Sequence, residues 1–275
     1  MSIQVRPLDA PLGAEVSGFD PRNITPEVAN ELNQAFLKHH VLVVHGPGLT
    51  DDELIEFGKS FGHIEAARKI SPLASRPEIM VISNIRMNGE LVGSLPDGEM
   101  NFHFDRIHQK KPNKAGVLQG IEIPSKGGNT SFSNMVMAYE TLPDALKTKL
   151  DGLTALNTFE YGTTIDKDKA LAADAPQANH PLVRTIPETG KKSIYACRLM
   201  TDRINELPAA ESRALLDELC DHVENPKFVY EHVWKVGDIL VWDNRCTSHA
   251  RTDFDASERR LMKRVTVGDD REPIR

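Results

Sequence analysis

From residue 79 onward the chain breaks into short strand-like runs separated by turn residues. IMVISNI (79–85), NFHFD (101–105), AGVLQGIEIP (115–124) and NTSFSN (129–134) come first. HPLVRTIP, KSIYACR, GDILVWDN and RRLMKRVTVGD follow. Pro96-Asp97-Gly98 and Lys126-Gly127-Gly128 stand between them as turns. Many short strands with this punctuation predict a β-sandwich or jelly-roll barrel. The mouth of such a barrel can hold a metal and a small ligand.

The N-terminal part reads differently. Ile3 to Pro7 alternates like a short strand. Thr25-Pro26 is an N-cap followed by proline at the first helical position, and VANELNQAFLKHH carries Val28, Leu32, Phe36 and Leu37 on one face. VLVVHG (41–46) is a buried strand, and Thr50-Asp51-Asp52-Glu53 is a capping box that opens a second helix. MVMAYETLPDALKTKLDG is a helical insert, and PAAESRALLDELCDHVEN is an amphipathic helix before the last strands. The fold class expected is mainly β with flanking helices. No repeat, low-complexity tract or linker interrupts the sequence, so residues 1–275 are expected to form one domain.

Composition excludes several function classes. A formal net charge of −7 argues against a nucleic-acid binder, which would present a basic face. No stretch approaches the roughly 18 apolar residues of a membrane helix. Cys197, Cys220 and Cys246 are odd in number and widely spaced, which argues against a disulfide framework or a zinc knuckle. Free thiols suit a reducing compartment, and the N-terminus shows no signal-peptide pattern, so a cytoplasmic location is expected.

Ten histidines make any single one a weak signal. His103-Phe104-Asp105 stands apart. Side chains at i and i+2 leave a strand on one face, so imidazole and carboxylate can converge on one ion. His249 offers a distant third ligand. Two histidines and one carboxylate leave open positions for a 2-oxo acid and O2, the geometry of non-haem Fe(II) oxygenases. Arg260 and Arg264 follow His249 and are four apart, so they share a face of an extended strand. A guanidinium matches a carboxylate bidentately.

Together these blocks resemble the taurine dioxygenase and phenoxyacetate dioxygenase family of Fe(II)/2-oxoglutarate enzymes. The resemblance covers nearly the whole chain. FHFD stands in the place of the usual W-H-x-D, and EIPSKGGNTSFSNMVMAYETLP, HPLVRTIPETGKK and WDNRCTSH-x9-RRLMKR, an H-x10-R spacing from His249 to Arg260, resemble later blocks of the family. The resemblance implies a double-stranded β-helix (jelly-roll) core. It implies that His103, Asp105 and His249 hold iron, and that Arg260 and Thr130 bind the distal carboxylate of 2-oxoglutarate. Arg264 is implied at the metal-side end of the pocket, as a co-substrate or substrate contact. Trp242 is implied as packing near the site. Fe(II), 2-oxoglutarate and O2 would then yield succinate, CO2 and an oxidised product. Because Asp105 is present, halogenation is not expected.

On the substrate side the chain departs from the taurine enzyme. Ala67 and Ile70 stand where a histidine and a tyrosine face the sulfonate, Glu99 where an asparagine is expected, and Met200 where an aromatic is expected. Taurine is therefore not expected as substrate. Residues 84–100 are expected to form a lid. Candidate substrate contacts are Asn84, Glu99, His108, Tyr161, Arg198 and Arg264. A cation at the pocket would favour a small carboxylate, sulfonate or sulfate ester. A homodimer or homotetramer is expected from the family. The alternatives are a metal-dependent hydrolase, or a non-catalytic ligand-binding barrel, on the same fold. The hydrolase would have no use for Arg260 and Thr130, and the binding barrel would be expected to have lost a ligand or the arginine.

Overall fold

The structure, a computed structural model, describes residues 2–159 and 174–275. Two antiparallel-dominated sheets face each other. The larger has eight strands, with Val41–Val44, Ile239–Asp243, Ala115–Glu122 and Leu261–Val267 adjacent in its middle. The smaller runs in the order Val229–His232, Thr130–Asn134, Thr247–Arg251, Met100–His103. This is the β-rich, helix-flanked architecture expected from the strand texture.

The large sheet is covered on both faces, which is why Val41–Val44 is an unbroken apolar run. On the outer face Leu42 and Val44, with Val117, Val241 and Val265, meet Leu32 and Phe36 of helix Pro26–His39 and Leu54 and Phe57 of helix Asp51–Lys59. On the inner face Val41 and Val43, with Leu118, Leu240 and Met262, meet Phe132 of the small sheet. Both helices start as expected. Thr25 Oγ1 accepts from Val28 N at 3.4 Å, and Thr50 with Glu53 forms the reciprocal box. No helix among the described residues is long and apolar enough to cross a membrane.

Three boundaries differ from the sequence reading. The insert 135–152 is two helices, Met135–Glu140 and Asp144–Leu150. Pro143 lacks an N–H and pushes Leu142 out of the helical region, so the helix restarts there. Only Lys192–Ile194 of KSIYACR is a strand. The strand bearing the first H-x-D residue ends at His103, so Asp105 lies beyond it.

Helix Pro26–His39 closes on His40 in the left-handed region, φ 65°, with its N–H donating to Phe36 O. The imidazole is buried, and Cys246 Sγ lies 3.3 Å from Nδ1. Burial pushes its pKa down from 6.5 to about 4. Between those values the unfolded chain binds a proton that the folded chain refuses, so stability falls as pH falls through that window. From pH 8 to pH 5 the expected loss from His40 is roughly 2 kcal/mol. His40→Asn tolerates the left-handed backbone. The variant should show a flatter decline of the urea midpoint over that range, and an unchanged decline would rule His40 out as the cause.

Candidate active site

Strand register builds the site. Thr247–Arg251 pairs with Thr130–Asn134 on one side and Met100–His103 on the other, placing His249 opposite both Phe132 and His103. The two imidazoles sit with centroids 4.1 Å apart. Asp105 arrives from the turn after its strand. Asn244 holds it there: its Oδ1 accepts from Asp105 N at 2.8 Å, and its Nδ2 donates to Asp105 O at 2.9 Å. The W-D-N-R block thus fixes the carboxylate ligand candidate that strand pleat alone does not place.

Ligand atoms of His103, Asp105 and His249 lie within 4.8 Å of one another, and all three residues are buried. His103 Nδ1 is 2.9 Å from Asn101 O. A carbonyl only accepts, so Nδ1 carries the proton and Nε2 keeps its lone pair. Arg264 Nη1 donates to Asp105 Oδ1 at 2.8 Å. Oδ2 is buried without a hydrogen-bond partner and lies 3.9 Å from His249 Nε2. Burial alone would raise the Asp105 pKa, but the Arg264 guanidinium and the two imidazoles hold it at about 2. Burial keeps both histidines neutral to lower pH than usual. Neutral imidazoles and an ionised carboxylate with an orphaned oxygen are the donor set that fits a divalent ion.

A second group, His40, Asp243 and Cys246, also brings ligand atoms close. There both Asp243 oxygens are taken by Arg245, at 2.8 Å each, so it is a structural knot.

A narrow cavity runs from His103 and His249 past Leu118 and Trp242 to Thr130 and Arg260. Arg260 is 2% exposed and has no acidic partner among the described residues. Burial, and then the charge of Arg251, lowers its pKa to about 9, so it remains a cation at neutral pH. Its Nη2 donates to Gly128 O at 3.1 Å, and its Nε has no partner. Gly128 adopts φ +65°, and a Cβ there would lie 3.0 Å from Arg260 Nε, so the Gly127-Gly128 turn makes room for the guanidinium. Thr130 Oγ1 accepts from Trp234 Nε1 at 3.0 Å, which leaves the hydroxyl proton free to donate. Trp242 packs 5.0 Å from His249, as expected of a packing residue.

A larger cavity of about 270 Å³ opens on the other side of the cluster. His103, Asp105 and Arg264 form its floor, and Ala67, Leu95, Met100, Phe159, Leu199 and Met200 contribute apolar wall. His108 lines it, with Nε2 3.4 Å from Arg68 Nη2 and its pKa pushed to about 4 by burial.

The other substrate-contact candidates are placed elsewhere. Asn84 donates to Ala256 O and Glu258 O and accepts from Arg260 N, so it braces the backbone before Arg260. Arg198, in the turn between strands Lys192–Ile194 and Thr201–Ile204, is spent on Asp221 and Glu224 at the C-terminal end of helix Ala209–Val223. Glu99 points to solvent. None of the three lines either cavity. Tyr161 lies outside the described residues. Sequence reasoning missed Arg68, Lys69, Arg106 and Arg251. The i, i+2 spacing from His249 could have found Arg251, since it shares a strand face with that residue.

The family model described as "Taurine catabolism dioxygenase TauD, TfdA family" matches residues 4–266. An alpha-ketoglutarate-dependent 2,4-dichlorophenoxyacetate dioxygenase of Cupriavidus pinatubonensis is 34% identical, aligned over 98% of this chain and 99% of that protein. Pentalenolactone F synthase of Streptomyces arenae is 32% identical, over 96% of this chain and 94% of its own. The crystal structure of AAD-2 in complex with Mn(II) and N-oxalylglycine superposes with a TM-score of 0.88 at 29% identity, covering 99% of this chain and 100% of that one. A family match along almost the whole length, with relatives this similar end to end, means that the chain belongs to the TauD/TfdA family of dioxygenases.

Proposed function

We propose that this chain oxidises a small organic anion with Fe(II) held by His103, Asp105 and His249 and 2-oxoglutarate seated on Arg260 and Thr130. Its family makes it an Fe(II)- and 2-oxoglutarate-dependent dioxygenase. The observation that carries the residue roles is the conjunction of two features. A buried two-histidine, one-carboxylate cluster faces a buried arginine that has no acidic partner among the described residues. A metal-dependent hydrolase would have no use for that arginine, and a non-catalytic barrel would be expected to have lost it or a metal-ligand candidate.

Bound Fe(II) supplies O2 activation coupled to decarboxylation of 2-oxoglutarate to succinate and CO2. The chain's own residues orient and hold. Asn101 fixes the His103 tautomer, and Asn244 fixes the Asp105 backbone. Arg264 keeps Asp105 ionised, pins one oxygen and leaves the other for the metal. It lines both cavities, where co-substrate and substrate meet. Arg260 and the Thr130 hydroxyl proton receive the distal carboxylate.

The larger cavity supports this substrate class. Its walls are mostly apolar, yet Arg68 and Lys69 have no carboxylate partner among the described residues. That combination suits a carboxylate, sulfonate or sulfate ester with an apolar body, hydroxylated or oxidatively cleaved. A relative named for 2,4-dichlorophenoxyacetate is in keeping with it. Residues 1–275 act as one domain, with 84–100 as a flap built on the hairpin Arg86–Met87 and Glu90–Leu91. Three free, buried cysteines suit the cytoplasm. Exposed Val233 and Val236, just past a strand of the small sheet, suit assembly into a homodimer or homotetramer.

Anaerobic titration with Fe(II) and 2-oxoglutarate should produce a weak visible charge-transfer band. His103→Ala and Asp105→Ala should abolish both band and succinate formation; a band that survives in either would exclude that residue as a ligand. Arg260→Gln should raise the 2-oxoglutarate requirement roughly 100-fold, matching about 2–3 kcal/mol for a lost charged hydrogen-bonded pair. An unchanged requirement would remove Arg260 from the co-substrate site.

A further inference from the structure

Leu95 and Met100 line both cavities and form the wall between them. The backbone that carries them is held in an unusual path. Leu95 sits at φ 51°, a left-handed conformation disfavoured for a residue with a side chain. Such a conformation persists only where its surroundings over-determine it.

Arg251 supplies that constraint. It lies on the strand Thr247–Arg251, two residues from His249, and pairs with Met100 across a register shift that lies between His249 and Arg251. Nη1 donates to Leu95 O at 2.7 Å, Nη2 to Asp97 O at 2.7 Å and to Gly98 O at 2.7 Å, and Nε to Gly98 O at 3.1 Å. The side chain is buried and has no carboxylate partner among the described residues. Its three nitrogens together make four hydrogen bonds to three backbone carbonyls of one loop. A lysine is a point donor on a flexible stem and could not span them.

We propose that Arg251 is a positioning residue that straps the 95–98 backbone and so holds Leu95 and Met100 as the partition between co-substrate and substrate. It rests on the two-cavity reading above and adds a determinant of substrate fit that acts through the loop, although Arg251 itself also lines the narrow cavity. The partition sets how closely an apolar substrate body approaches the floor formed by His103 and Asp105. The strap ties that approach to the strand that carries His249.

Two measurements test this. Hydrogen exchange of the metal-free full-length protein reads the strap without any ligand. In Arg251→Gln, peptides spanning 92–100 should exchange at least tenfold faster, with the large sheet unchanged; unaltered exchange there overturns the proposal. The second measurement is the anaerobic Fe(II) and 2-oxoglutarate band, with phenoxyacetates and alkyl sulfates as probes. In Arg251→Gln the 2-oxoglutarate affinity should stay within threefold, while the probe that perturbs the wild-type band should bind at least tenfold more weakly. Arg251→Lys retains the charge without the fork and should remain impaired. Full recovery by Lys, or a loss of 2-oxoglutarate affinity as large as in Arg260→Gln, would make Arg251 an anion-binding charge and overturn the proposal. Absence of any band in the wild-type protein would count against the site assignment and leave the exchange result to decide the strap.

Discussion

The register of one strand carries the whole arrangement. Thr247–Arg251 lies between Thr130–Asn134 and Met100–His103, and its pairing sets His249 opposite His103 and Arg251 opposite both Thr130 and Met100. Strand side chains alternate, so a one-residue slip would turn His249 away from the interior and bring Ser248 or Ala250 in. Such a slip would also move Arg251 off the carbonyls of Leu95, Asp97 and Gly98. The register is protected by apolar burial: Phe132, opposite His249, packs between the sheets with Leu118, Leu240 and Trp242. Hydrophobic packing thus specifies the position of polar groups that could not specify it themselves.

The interior carries an unusual load of guanidinium groups, and their partners separate scaffold from site. Arg245 is satisfied by Asp243 and Glu188, so it is a closed ion-pair network. Arg264 pairs with one oxygen of Asp105, which leaves the other oxygen open, and its own Nε has no partner. Arg251 donates to backbone carbonyls. Arg260 has a single backbone hydrogen bond, an Nε without a partner and no acidic partner among the described residues. An unpaired buried charge is costly. Arg260 therefore gives up stability in the absence of an anion, which an incoming carboxylate restores. The same logic explains Asp105, whose free oxygen faces His249 instead of a donor.

The flanking helices take no part in this chemistry. They cover the outer face of the large sheet, and the capping box at Thr50 and the cap at Thr25 are local devices that start them. Their consequence for the site is indirect. With its outer face sealed, the large sheet presents Trp242 and Arg264 to the small sheet from the strands on either side of Ala115–Glu122, and Arg260 from the residue before Leu261–Val267.

Much was legible in the one-dimensional pattern. Caps, helix faces and short strands depend on residues near one another, and His103, His249, Thr130 and Arg264 lie on strands the pattern marked. Less was legible wherever the outcome depends on distant partners. Arg198 looked available until Glu224 and Asp221 came beside it, and Asn84 until the backbone at Ala256 and Glu258 did. Nothing in the sequence pattern marked Arg68 and Lys69, which the fold brings to a cavity wall. Asp105 reaches the cluster through Asn244, more than a hundred residues away, and not through the pleat of its own strand. By itself the sequence determined most of the elements, the candidate ligand residues and the family resemblance, because periodicity and motif spacing are local. Only the tertiary structure decided which cations remain unpaired, which residues line each cavity and what holds the wall between them. Those properties are set by contacts between segments far apart in the chain.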